Sequence, residues 1–99
     1  MTRTVWKYPL ADVWLQHIEV PVGAQLLDVQ YQGERIVLWA IVDPNVTAKR
    51  TLKIRMVATG EAFKRSDHVA EETGYVGGHL GTLQAPGDGY VNHVFAEFV

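Results

Sequence analysis

The groups in this 99-residue chain with the chemistry to ligate a metal, move a proton or attack an electrophile are four histidines, a single serine and eleven carboxylates; cysteine is absent. The missing thiols exclude a disulfide scaffold, a thiolate zinc site and a cysteine nucleophile. His17, His68, His79 and His93 fall into none of the His-x-His, His-x-x-x-His or His-Glu-x-x-His spacings that place two ligands on one face, so no metal site is expected. His93 shares a strand face with Val91 and Phe95, which reads as a half-buried histidine with its ring nitrogens bonded to backbone or water. His17, beside Glu19, reads as exposed. Arg65-Ser66-Asp67-His68 sets Ser, Asp and His side by side, but a working triad converges by folding, with its nucleophile on a strained turn near oxyanion donors. Adjacent residues in a polar stretch fit a cap on a short helical turn instead. Glu71-Glu72 is a solvated charge run. The glycine-rich Gly74-Tyr75-Val76-Gly77-Gly78-His79-Leu80-Gly81 lacks the Lys-Ser or Lys-Thr of a phosphate loop, and no helical pattern follows it. Its glycines fit strand bulges or a close backbone approach. No catalytic set, metal or cofactor is expected.

Charge is distributed unevenly. Between residues 49 and 65 stand six basic residues against Glu61 alone, a local +5, while the rest of the chain holds three basic and ten acidic groups, or −7. The net charge of −2 is an average over these two parts. Lys53 and Arg55, alternating with apolar neighbours, are expected to project from one strand face, with Lys49, Arg50, Lys64 and Arg65 flanking it. Such a patch suits phosphate groups or an acidic protein surface. Duplex nucleic acid is disfavoured by the sequence pI of about 6.0. Three tryptophans, four tyrosines and three phenylalanines add a heavy aromatic load, from which Trp14 and Tyr31, in strands of mixed face, are candidate contacts for a partner or ligand. Trp39, in the most apolar segment, is expected in the core.

The elements that must position these groups are strands. Trp14 to Val20, Ala24 to Gln32, Thr51 to Thr59 and Tyr90 to Val99 alternate with a period of two. Gly33-Glu34 joins Ala24–Gln32 to Arg35–Val42 as a hairpin, and the second of these strands is apolar on both faces, which predicts a central place in a sheet. Thr4 to Tyr8 is a short strand ended by Pro9, Tyr75 to Leu83 an irregular one, and Gly60 to Gly74 a surface loop with one helical turn at most, over residues 66–72. About seven mostly antiparallel strands at ten-residue intervals predict an all-β domain over residues 1–99, a compact sandwich or small barrel. Its apolar runs are too short to span a membrane as a helix.

Lys7-Tyr8-Pro9-Leu10, Leu38-Trp39-Ala40 and Asn92-His93-Val94-Phe95, spaced along nearly the whole chain, resemble a family of small proteins encoded mainly by phages and prophages. The resemblance implies a phage or prophage origin and a compact β fold, and assigns no chemistry. One departure is Ala96, where an acidic residue is expected directly after the last phenylalanine of that motif; Glu97 follows a position later. The expectation is therefore a non-enzymatic binding protein of the host cytoplasm. It inhibits a host protein, a defence component foremost, through a basic and aromatic surface. The alternatives are a module that sequesters a nucleotide or other phosphate-bearing signal, self-associated as a homo-oligomer, and a small histidine- or metal-dependent hydrolase.

Overall fold

The computed structural model describes residues 2–63, 76–87 and 89–99. The expected helical turn at 66–72, together with Lys64, Arg65 and the Ser66-Asp67-His68 run, lies outside the described residues.

Seven strands form: β1 (Thr4–Leu10), β2 (Leu15–Pro21), β3 (Gln25–Gln32), β4 (Arg35–Val42), β5 (Lys49–Ala58), β6 (Gly78–Gln84) and β7 (Val91–Phe98). All pairings are antiparallel, in a three-stranded sheet of order β1-β4-β3 and a four-stranded sheet of order β2-β5-β7-β6. This is the all-β, sandwich-like fold expected from the sequence. The hairpin turn falls on Gly33-Glu34, where Gly33 takes a φ of 63°, a conformation that costs glycine little and other residues more. Strand β4 is central in its sheet, as its composition predicts.

One apolar core joins the two sheets. Ile36, Leu38, Ala40 and Val42 of β4 and Val29 of β3 meet Leu52, Ile54 and Met56 of β5 and Val94 and Ala96 of β7, with Val20 of β2 and Leu83 of β6. These are the alternate residues of each strand, so the period of two delivers one apolar face per strand to a shared interior. The sheets approach most closely where β3 packs beside β6. At that seam a Cβ on Gly81 would lie 2.8 Å from the Val29 Cγ1, so the close approach requires glycine. Both strands at the seam are also irregular, β3 between Leu26 and Asp28 and β6 between His79 and Gly81. The extra residue at Leu27 departs from strict alternation: Leu26 packs on the core and Leu27 is 45% exposed.

The outer faces correct two expectations. Lys53 and Arg55 do lie on the outer face of β5, yet they are only 7% and 0% exposed. They are not a solvated basic patch. The described ends of the β5–β6 connection account for part of this: β5 ends with Ala58 opposite Asn92, whereas β6 begins with Gly78 opposite Ala96, further along β7. Both described ends of that connection sit on this face, Phe63 edge-on to Phe95 at 5.4 Å and the Val76 carbonyl accepting from Arg55 Nη1 at 2.8 Å. Conversely, Trp39 is only half-buried. It shares the outer face of β4 with Val37 and Ile41, whose register neighbours are the β1 residues Val5, Lys7 and Pro9. Val37 alone is closed off there, at 2% exposure, beneath a diagonal hydrogen bond from Lys7 Nζ to Gln32 Oε1 of 2.9 Å.

Candidate functional site: an aromatic cleft at one end of the sandwich

Antiparallel strands bring their ends together in two groups, and one group encloses an open cleft of about 410 Å³. The β1–β2 connection supplies Asp12, Val13 and Trp14 to its wall. Tyr31 enters from the end of β3, Met56, Ala58 and Glu61 from the end of β5, and Ala85, Tyr90 and Asn92 from the turn between β6 and β7. The volume falls within the range of about 300–1,000 Å³ typical of small-ligand sites.

Local backbone bonding fixes this rim. The Met56 amide donates to the Trp14 carbonyl at 3.0 Å, which ties the β1–β2 connection to β5. The Ala85 amide donates to the Tyr90 carbonyl at 2.8 Å and closes the β6–β7 turn, while the Glu61 amide donates to the Ala58 carbonyl at 2.9 Å. Gly60, with a φ of 85°, stands inside that last turn and aims Glu61 back toward the strand end. Met56 is 5% exposed and belongs to the core, so the floor of the cleft is packed. Trp14 is 37% exposed and Tyr90 65%, whereas Tyr31 is half-buried against the core. Three rings and two carboxylates thus line a concave surface built on packed elements.

Of the eight residues singled out in the sequence, the six that are described separate in space. Trp14 and Tyr31 come together in the cleft. Lys49 and Arg50 are exposed at the far end of β5, about 30 Å from Ala58 at the rise of an extended strand. There the Arg50 guanidinium lies 4.8 Å from the centre of the Phe98 ring. Arg55 is spent inside the fold: its Nη1 also donates to Glu97 Oε1 at 3.0 Å in an ion pair whose arginine is wholly buried. This gives Glu97, one position beyond the expected acidic site, a structural role. Asp12, Glu61, Tyr90 and Asn92 escaped sequence reasoning. Each stands next to a strand end, and the signal available was Pro86-Gly87 before Tyr90 and Gly60 before Glu61, turn residues that mark where a sandwich gathers its loops.

The histidines converge further than their spacing indicates. Thr59 Oγ1 lies 2.8 Å from His93 Nε2, Thr82 Oγ1 lies 3.2 Å from His93 Nδ1, and His79 Nε2 lies 3.1 Å from the same Thr82 hydroxyl. His93 is half-buried as expected, and its two ring nitrogens meet threonine hydroxyls rather than backbone. The chain Thr59–His93–Thr82–His79 ties β5, β7 and β6 together across the outer face. Among the described residues no three His, Asp or Glu side chains gather at metal-binding distance. None of the described elements is a helix that could cross a membrane.

Fold and cleft together define a sandwich-like all-β domain that presents aromatic and acidic side chains at one open end. The chain belongs to the family described as "Domain of unknown function (DUF7352)", whose model matches residues 1–98. No curated protein and no solved structure shows a significant match.

Proposed function

We propose that this protein acts by binding rather than catalysis, as a phage or prophage accessory protein that engages and inhibits a host protein inside the host cell, with the end cleft as its principal contact. The observation that carries this reading is the meeting of Trp14, Tyr31 and Tyr90 in one open, rigidly floored concavity. Exposed aromatic rings beside a packed wall are what the energetically dominant centre of a protein interface requires, since they bury large area with few rotors to freeze. The phage-type motifs in the sequence support the setting. A phosphate-bearing signal is the weaker occupant: Asp12 and Glu61 repel it at the cleft, and the exposed Lys49 and Arg50 sit at the opposite end.

The test is capture from host lysate followed by reconstitution with the purified captured protein. Trp14→Ala and Tyr90→Ala, each checked for an unchanged circular-dichroism spectrum, are expected to weaken the reconstituted complex by ~10-fold or more, as truncated interface anchors do. Joint reversal of Lys49 and Arg50 to Glu is expected to leave it within ~3-fold, the behaviour of rim charges in an interface centred elsewhere. The opposite ranking overturns the cleft as the contact.

A further inference from the structure

The chemistry of the cleft narrows what its partner must present. Trp14, Tyr31 and Tyr90 offer ring faces or edges, Asp12 and Glu61 offer carboxylates, and Asn92 offers one amide, with no lysine or arginine among the lining residues described. Ring faces carry negative quadrupole density and attract cations, most strongly where water is partly displaced. Carboxylates exert the same preference by charge. Neutral aromatic ligands gain from the rings but bring no charge to the carboxylates. Anions lose on both counts. The occupant that satisfies rings and carboxylates together is a cation with a flat apolar surface.

Guanidinium fits this description better than ammonium. It is planar, stacks on aromatic rings, is weakly hydrated, and presents a fork of N–H donors matched to carboxylates. We infer that the cleft receives an arginine side chain from the partner protein, its guanidinium lying against the aromatic wall and donating to Asp12 and Glu61. This rests on the cleft being the contact proposed above and specifies what it recognises. The net charge of −2 acts weakly in the same direction, favouring approach of a basic partner surface.

The experiment uses the whole protein and three probes that differ in one group: the capped tripeptides Gly-Arg-Gly, Gly-Lys-Gly and Gly-citrulline-Gly, with adenosine monophosphate as the anionic comparison. Citrulline keeps the shape of arginine and removes its charge. Binding is followed by chemical-shift changes at the Trp14 indole N–H, assigned by its loss in Trp14→Phe. The arginine peptide is expected to bind ~10-fold more tightly than the citrulline peptide, with lysine between them. Asp12→Asn combined with Glu61→Gln is expected to erase most of that ratio while leaving citrulline binding unchanged.

Equal binding of arginine and citrulline peptides overturns cation recognition, as does a larger response to the nucleotide or no response to any peptide at millimolar concentration. These failures are separable from failure of the binding role. If the reconstituted complex still depends on Trp14 and Tyr90, the cleft remains the contact and only the chemistry of its occupant is wrong.

Discussion

The outer faces of the two sheets invert what their residues lead one to expect. On β4 of the three-stranded sheet, Val37, Trp39 and Ile41 form an apolar row, yet Trp39 and Ile41 stay half-exposed. On β5 of the four-stranded sheet, Lys53 and Arg55 alternate along a polar row, yet both are buried. Alternation assigned the faces of β5 correctly, whereas β4, apolar on both faces, offered no such assignment. What covers a face is decided by where the connections run. The described ends of the β5–β6 connection place Phe63 and Val76 on the charged row, while tight Gly33-Glu34 leaves the apolar row of β4 with no such cover from its own hairpin.

The largest test of this contrast is Arg55→Ala. Truncating one member of a buried ion pair leaves Glu97 and the Val76 carbonyl short of a donor and costs ~3–5 kcal/mol, a large share of the ~5–15 kcal/mol that holds a small domain folded. Urea denaturation reads the loss directly. A cost near that of a surface substitution, below ~0.5 kcal/mol, would mean that the charged row is open to water after all.

On the other sheet, neighbouring residues of β4 provide a matched pair. Leu38 faces the core at 0% exposure and Trp39 faces outward, half-buried. Leu38→Ala is expected to cost ~2–5 kcal/mol, whereas Trp39→Ala, although it removes the larger side chain, is expected to cost only ~1–2 kcal/mol, because roughly half of the ring's transfer energy is never gained. If Trp39→Ala proves the costlier of the two, the outer face of β4 is covered in solution by something the isolated chain does not supply.

How much of this was legible follows from the same distinction. Strand number, the hairpin at Gly33-Glu34, the central place of β4 and the inward row of β5 came from local signals: periodicity, turn residues and composition. The burial of Arg55 depends on Glu97, 42 residues away, and on the Val76 carbonyl, 21 residues away, separations that no local pattern encodes. The outward turn of Leu27 depends on a bulge, which inserts one residue and shifts the alternation on one side of it. The two aromatic candidates meet in the cleft for a related reason. Trp14 and Tyr31 stand at strand ends, where position is set by topology alone, but their acidic companions Asp12 and Glu61 are ordinary turn-flanking residues until the ends are brought together.

The smallest effect concerns a polar group on the inner face. Tyr8 of β1 lies opposite Leu38 and packs on the core, and its hydroxyl is buried with no hydrogen-bond partner among the described residues. The wholly buried Arg55 has at least two acceptors, so the outer face of one sheet accommodates a charge better than the inner face of the other accommodates a phenol. Burial raises the Tyr8 pKa above its usual value of 10.0 by penalising the phenolate. Above that pH the unfolded chain releases the Tyr8 proton while the folded chain retains it, so this group lowers stability progressively as pH rises from its ordinary pKa toward the raised one. Tyr8→Phe removes both the unpaired hydroxyl and the ionisation. It is expected to change stability at neutral pH by no more than ~1 kcal/mol, in the stabilising direction, and to flatten the alkaline decline in urea midpoints. A destabilised variant with an unchanged alkaline slope would show that the phenol is bonded, and that both sheets bury polar groups only when they are paired.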